Sequence, residues 1–183
     1  MSWSRRRLLG AAGMIAGASA AGMLGAAAEA ADTPATRRIV LKSLHTPESL
    51  DIVFRRGDDY VPDALSAIQV LLRDYRTGAQ HPIDPRLLDY LHDVAQLARV
   101  EPVFAVVSGY RSPQTNEMLH ERSNGVASRS LHMEGRAIDV RLARVDCTEL
   151  AEKALAVQRG GVGYYHKSDF VHLDTGRFRT WRG

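Results

Sequence analysis

Three residues in the C-terminal half have side chains suited to holding a metal ion. His132 ends a polar loop within Ser130-Leu-His132-Met-Glu-Gly135-Arg-Ala137-Ile-Asp139. Asp139 lies in an apolar run between Ile138 and Val140, where a carboxylate on a buried face needs a partner. His172 is embedded in the same way among Phe170, Val171 and Leu173. Two histidines and an aspartate are three protein ligands of the kind that bind zinc, and a fourth position left to water is what a hydrolytic site requires. A metal there lowers the pKa of a water toward ~7 and polarises a scissile carbonyl. On spacing alone, the alternative is a hydrogen-bonded trio of buried groups with no ion. A metal-free hydrolase using Ser130 and His132 is poorly supported, because two residues so close in one segment make a weak nucleophile–base pair.

The elements that must position these residues can be read from periodicity. Arg38 to Leu44 and Leu50 to Phe54 are short β-rich runs, and His45-Thr-Pro-Glu-Ser49 between them has turn chemistry, which predicts a hairpin. Pro62 opens a helical pattern in which Leu65, Ile68, Leu71 and Leu72 recur up to Tyr75. Asp84-Pro85 starts a second helix with an N-cap followed by Pro at the first position, and Leu87, Leu88, Leu91, Val94, Ala95 and Ala98 form its apolar face. Val103 to Val107 reads as a strand, Ser112-Pro113 opens a short helix to about Arg122, and Ser123 to Ser130 is a polar loop. Ala137 to Leu142 alternates as a strand, residues 146–158 are helical, and Val162–Tyr165 and Phe170–Leu173 are further strands. The pattern is α+β, a small antiparallel sheet with helices packed around it.

The length of 183 residues suits one domain. The net charge is +3, but removing residues 1–30 takes Lys+Arg from 24 to 21 and Asp+Glu from 21 to 20, leaving +1. With no basic patch carrying interleaved aromatics, nucleic acid is not an expected partner. The single cysteine, Cys147, cannot form an internal disulfide and reads as a buried structural thiol.

Residues 1–30 read as an address. Arg5-Arg6-Arg7 precedes an Ala/Gly-rich stretch from Leu8 to Ala28, and Ala28-Glu29-Ala30 is a small-x-small cleavage pattern. Ser4 to Leu9 resembles a twin-arginine signal, which makes the twin-arginine export machinery a partner and the periplasm the destination. A lone thiol suits folding in a reducing cytoplasm before export. The weak hydrophobicity of Ala and Gly favours cleavage; membrane attachment would come only through an uncleaved signal. Residues 31–37 follow as a flexible tail, and 38–183 form the domain.

The segment Ser130-x-His132-x-x-Gly135-x-Ala137-x-Asp139 resembles the zinc motif of the D-Ala-D-Ala carboxypeptidase and endopeptidase family, whose fold is shared with the hedgehog signalling domain. Ser108-Gly-Tyr-Arg111-Ser112 is similar to the family's arginine-bearing segment, and Phe170-Val-His172-Leu-Asp174 to its last-ligand strand. From about Arg38 to Trp181 the chain resembles the periplasmic murein endopeptidase branch, through Leu44-His-Thr-Pro-Glu-Ser-Leu50, Leu72-Arg-Asp-Tyr-Arg76 and Gly160-Gly-Val-Gly-Tyr-Tyr165. The resemblance implies one zinc per chain on His132, Asp139 and His172, and hydrolysis of peptidoglycan peptide cross-links.

By the same resemblance, Arg111 faces the substrate carbonyl or carboxylate and steadies the developing oxyanion. Asp169, three residues before the last ligand, is expected to take the proton from the attacking water, with Asp174 and His166 as substitutes. Ser130 is expected to orient a ligand or touch the substrate, and Gln114 to hydrogen-bond a peptide. Gly135 and Ala137 fit close backbone packing. Tyr164 and Tyr165 are candidates for the groove wall. His45, His81, His92 and His120 have no evident site, and Lys167 and the C-terminal arginines read as solvated. Diaminopimelate–diaminopimelate and D-Ala–diaminopimelate links both remain open as targets, as does carboxypeptidase trimming. A zinc-stabilised wall-binding module without turnover is the alternative from a different class.

Overall fold

The computed structural model describes residues 35–122 and 127–183. The signal, residues 31–34 of the tail and residues 123–126 of the polar loop lie outside the described residues. The first hairpin pairs β1 (Thr36–Ser43) with β2 (Ser49–Arg56), and the two-residue β3 (Asp59–Tyr60) extends it. Strand β1 begins two residues before the expected domain start, so Arg37 belongs to the sheet; its guanidinium bonds Asp89 and Asp93.

The remaining elements are α1 (Pro62–Leu71), α2 (Pro85–Leu97), β4 (Val103–Ser108), α3 (Pro113–Arg122), a 3-10 turn (Leu131–Glu134), β5 (Ala137–Leu142), α4 (Cys147–Val157), β6 (Gly161–Tyr165), β7 (Phe170–Asp174) and β8 (Arg179–Arg182). Among the described residues, eight strands form one sheet in the order β3-β2-β1-β4-β5-β7-β6-β8. The fold is α+β as the periodicity predicts, but the sheet is larger than expected and mixed. Pairs β1–β4 and β6–β8 are parallel and the others antiparallel. A parallel pair cannot be closed by a tight turn, and here β2, β3, α1 and α2 lie between β1 and β4.

Local chemistry explains the helices. Asp84 accepts the Arg86 amide at the start of α2, Pro85 occupies its first turn, and Leu87, Leu88, Tyr90, Leu91, Val94 and Ala95 are wholly buried. At α4, Asp146 accepts the Glu149 amide, and Leu150 and Ala154 enter the core. Each such large apolar side chain contributes about 1.5–3 kcal/mol of burial free energy. Helix α1 stops at Leu71, short of the expected Tyr75. Leu72 is still buried, so the apolar period outruns the helix. Asp74 turns the chain away, accepting from the Arg76 amide with one oxygen and from the Ser112 amide and hydroxyl with the other.

Strand alternation separates core from site. Ile138, Val140 and Leu142 on β5, with Val171 and Leu173 on β7, are buried in the apolar core beneath α2 and α4. Their alternates Asp139 and His172 therefore fall on the other face of the sheet. Cys147 is buried as expected, and burial with the nearby Asp169 carboxylate pushes its thiol up to about 12.

Candidate metal centre

Five strands contribute one residue each to a single row across the sheet. Ser108 on β4 lies opposite Asp139 on β5, Asp139 opposite His172 on β7, His172 opposite Gly163 on β6, and Gly163 beside Trp181 on β8. A Cβ on Gly163 would stand 2.5 Å from the Trp181 ring, so glycine is what lets the indole lie flat there, with its centroid 5.1 Å from that of His172. His132 enters from above on the 3-10 turn. Ser130 caps that turn by accepting the His132 amide, and Gly135 closes it in the left-handed conformation (φ 64°). A Cβ on Gly135 would come within 2.0 Å of the Pro82 carbonyl oxygen, so the close packing expected of this glycine is present.

Three atoms converge. His132 Nε2 is 3.2 Å from Asp139 Oδ1 and 3.1 Å from His172 Nδ1, and His172 Nδ1 is 2.9 Å from Asp139 Oδ1. All three residues are shielded from water, at 1%, 2% and 8% exposure for His132, Asp139 and His172.

The outer nitrogens decide what the inner ones carry. His132 Nδ1 lies 2.7 Å from the Gly109 carbonyl, which can only accept, so the proton sits on Nδ1 and Nε2 presents a lone pair. His172 Nε2 lies 3.0 Å from the buried Asp174 carboxylate, so its proton sits on Nε2 and Nδ1 presents a lone pair. Neutral rings thus aim two lone pairs and a carboxylate oxygen at one point. Such a set is short of positive charge, and a metal cation satisfies it. Nitrogen and oxygen ligands ~2.0–2.1 Å from a tetrahedral ion stand about 3.3 Å apart, close to the separations found here. The donor set therefore fits a metal, and the orienting carbonyl and carboxylate are the partners that metal-ligating histidines need.

Electrostatics agree with the geometry at His132 and Asp139, while His172, held between two carboxylates, is drawn toward its charged form unless a cation takes the proton's place. Burial lowers the His132 imidazole to about 4, which keeps the ring neutral. Burial would raise Asp139, but the two imidazoles that face it and the Arg111 guanidinium hold it well below the usual carboxylate range. Burial opposes protonation of His172, yet its two carboxylate partners raise it. Asp174 is likewise held far down against its burial by His172, Arg179 and the Gly176 amide.

The expected residues around the trio divide. Arg111 bridges Ser108 Oγ (2.8 Å) and the outer oxygen of Asp139 at the floor of the groove, so its guanidinium is engaged by the carboxylate rather than standing free. Ser130 lines the groove beside His132. Asp174 is wholly buried behind His172 and holds its ring, also accepting from Arg179 and the Gly161 and Gly176 amides. Asp169 does not line the groove. It sits in a left-handed turn (φ 53°) before β7, where its carboxylate meets Arg141 (3.3 Å) and the Cys147 thiol. A three-residue offset on a strand points to the opposite face, which is why its distance along the chain misleads. His166 bonds Tyr164 Oη outside the groove, and exposed Gln114 on α3 is not part of the groove wall either. Tyr165 lines the groove and Tyr164 does not.

The groove encloses about 720 Å³. Its wall includes residues that the sequence did not mark: His45, Arg76, Arg179 and Trp181. Arg179 is not solvated as expected but bonds Asp174 with two nitrogens. The signals available were weak. His45 and Arg76 fall in segments of the family resemblance that hold no metal ligand, and β8 is too short and polar to read as a strand.

Comparison with known proteins places the chain in a family. The family model described as peptidoglycan L,D-endopeptidase MepK matches residues 31–181. The peptidoglycan L,D-endopeptidase MepK of Escherichia coli K12 is 38% identical over 97% of both chains. The probable peptidoglycan L,D-endopeptidase MepK of Haemophilus influenzae is 38% identical over 82% of both. No solved structure matches the chain. With a family match across nearly the whole described domain and relatives of this identity and coverage, the chain belongs to the MepK family of peptidoglycan L,D-endopeptidases.

Proposed function

We propose that the protein is a zinc-dependent peptidoglycan endopeptidase that hydrolyses amide bonds in peptide cross-links. The observation that carries this reading is the meeting of two imidazole lone pairs and one carboxylate oxygen, each with its outer atom already engaged. His132, Asp139 and His172 would hold one zinc ion. When bound there, zinc supplies a Lewis acid that activates water and polarises the scissile carbonyl.

The chain's own residues do the rest. Gly109 and Asp174 hold the two imidazoles in the tautomers that face inward. Arg111 fixes the outer oxygen of Asp139 and places a permanent positive charge at the groove floor, where it favours a developing oxyanion. Tyr165, Phe170 and Trp181 form an apolar wall that limits water around the peptide. The proton acceptor passes away from Asp169, whose carboxylate is held outside the groove. Asp139 is the one acidic side chain among the described groove residues, and this favours a second reading, a zinc-stabilised peptide-binding module without turnover. Residues 1–30 act as the export signal and the periplasm is the place of action.

Purified residues 31–183 should hold about one zinc per chain and convert cross-linked muropeptide dimers to monomers in a chelator-sensitive way, with product masses naming the bond. Zinc at that stoichiometry with no loss of any dimer would establish the binding module instead.

A further inference from the structure

Two segments with no metal ligand meet at one end of the groove. His45 follows β1, and Tyr75-Arg76 follows the end of α1. The His45 and Tyr75 rings stack with centroids 3.9 Å apart and planes 13° from parallel. The Arg76 guanidinium carbon stands 4.2 Å from the centroid of the same Tyr75 ring. One face of the tyrosine is covered by the imidazole, so the guanidinium occupies the other, giving a three-layer stack. Each layer is held from behind. His45 Nε2 donates to the Val107 carbonyl (2.9 Å), one residue before the Ser108 that holds Arg111. The Arg76 amide donates to Asp74, and Glu48 beside His45 is already taken by Arg73 and Thr46.

The charge inventory of the groove is one-sided. Arg111 is paired with Asp139 and Arg179 with Asp174. Arg76 and Arg129 also line it, and neither has a carboxylate partner among the described residues. Arg76 differs from Arg129 in being oriented by an aromatic face. A stacked guanidinium keeps its in-plane N–H fork free for a bidentate carboxylate, and stacking reduces the entropy lost when it binds one.

We infer that the His45–Tyr75–Arg76 stack is a carboxylate-binding subsite that selects peptides carrying a free acid at a fixed place away from the cleaved bond. This rests on the peptidase reading above. Diaminopimelate has two carboxyl groups and uses at most one in the peptide backbone, so stem peptides present such an acid. Binding energy taken up away from the reacting centre serves to place the scissile amide over the metal ligands.

The test measures affinity and turnover separately in the zinc-loaded protein. Calorimetry would compare an uncross-linked muropeptide with the same compound amidated at every carboxylate, for wild type, Arg76→Gln and Tyr75→Leu. Wild type should bind the free acid roughly tenfold or more tightly than the amide, the size of one charge-assisted contact. Arg76→Gln should remove most of that preference and Tyr75→Leu part of it. Arg76 is exposed and unpaired, so its replacement leaves the fold intact, which a thermal melt would verify. Equal binding of acid and amide by wild type, or an undiminished preference in Arg76→Gln, overturns the subsite. Dimer cleavage is read on the same samples. A preference that tracks Arg76 without any cleavage keeps the subsite and removes the peptidase reading; cleavage with a preference blind to Arg76 does the reverse.

Discussion

Asp89 and Asp139 are both carboxylates buried to within a few per cent, and their surroundings are opposite in kind. Asp89 on α2 is surrounded by proton donors. Arg37, Arg55 and Tyr60 all bond it, and burial together with Asp89 pushes the Tyr60 phenol up to about 12, so that it donates at any ordinary pH. Asp139 has one donor, Arg111, and otherwise faces imidazole nitrogens whose protons point elsewhere. The first site is closed by hydrogen bonds and ties β1, β2 and β3 to α2. The second leaves two imidazole nitrogens and a carboxylate oxygen facing one point, an arrangement a cation would satisfy. A buried carboxylate among donors serves architecture, and one among lone pairs has the setting that a metal ligand needs.

Substitutions should separate the two. The largest effect is expected at the second: Asp139→Ala should abolish stoichiometric zinc and lower muropeptide turnover by roughly 10³-fold or more, since several kcal/mol of charge stabilisation is lost. Adding zinc should then raise the melting temperature of wild type but not of this variant. Asp89→Ala should behave the other way, costing about 3 kcal/mol in denaturant unfolding because Arg37, Arg55 and Tyr60 each lose their buried acceptor, while binding zinc in full. A zinc-deficient Asp89→Ala protein would break the distinction. Asp174→Asn keeps an acceptor behind His172 but removes the charge, and should weaken zinc affinity 10- to 100-fold in a competition assay, with the fold retained.

Asp74 sharpens the comparison from the side of architecture, and its effect is the smallest. Burial would raise its carboxyl, but bonds from Ser112, Thr115 and Arg76 bring it down to about 2. Because the folded value lies below the ordinary one, its contribution is full above about pH 4 and fades as the pH falls toward 2. Asp74→Asn should therefore cost about 2 kcal/mol at pH 7, and the gap to wild type should close between pH 4 and pH 2 in acid unfolding.

How much of this the sequence carried depends on range. Asp139 and His172 were legible because each interrupts an apolar strand, and α2 because a cap, a proline and a 3.6-residue stripe coincide at Asp84, Pro85 and Leu87 to Ala95. The end of α1 was misread because Leu72 keeps the apolar period after the hydrogen bonds have turned toward Asp74. Asp169 was misplaced because distance along the chain says nothing of a left-handed turn. His45 and Arg179 were not legible at all. They lie outside any run of regular apolar period, and they reach the groove beside the parallel pairs β1–β4 and β6–β8, which no local pattern announces.

The alternation along β5 and β7 has a consequence for folding fidelity. Asp139 and His172 are register partners, and so are Ile138 and Leu173 on the reverse face. If either strand slipped by one residue, it would turn an aspartate or a histidine into the apolar core and expose its aliphatic neighbours. Burying those polar groups without partners costs several kcal/mol. The irregularity between Val106 and Ser108 pins β4 against β5 at the same level. The polar pair would thus enforce strand alignment whether or not an ion is bound, because the residues that face one another on the groove side are the ones the core cannot accept.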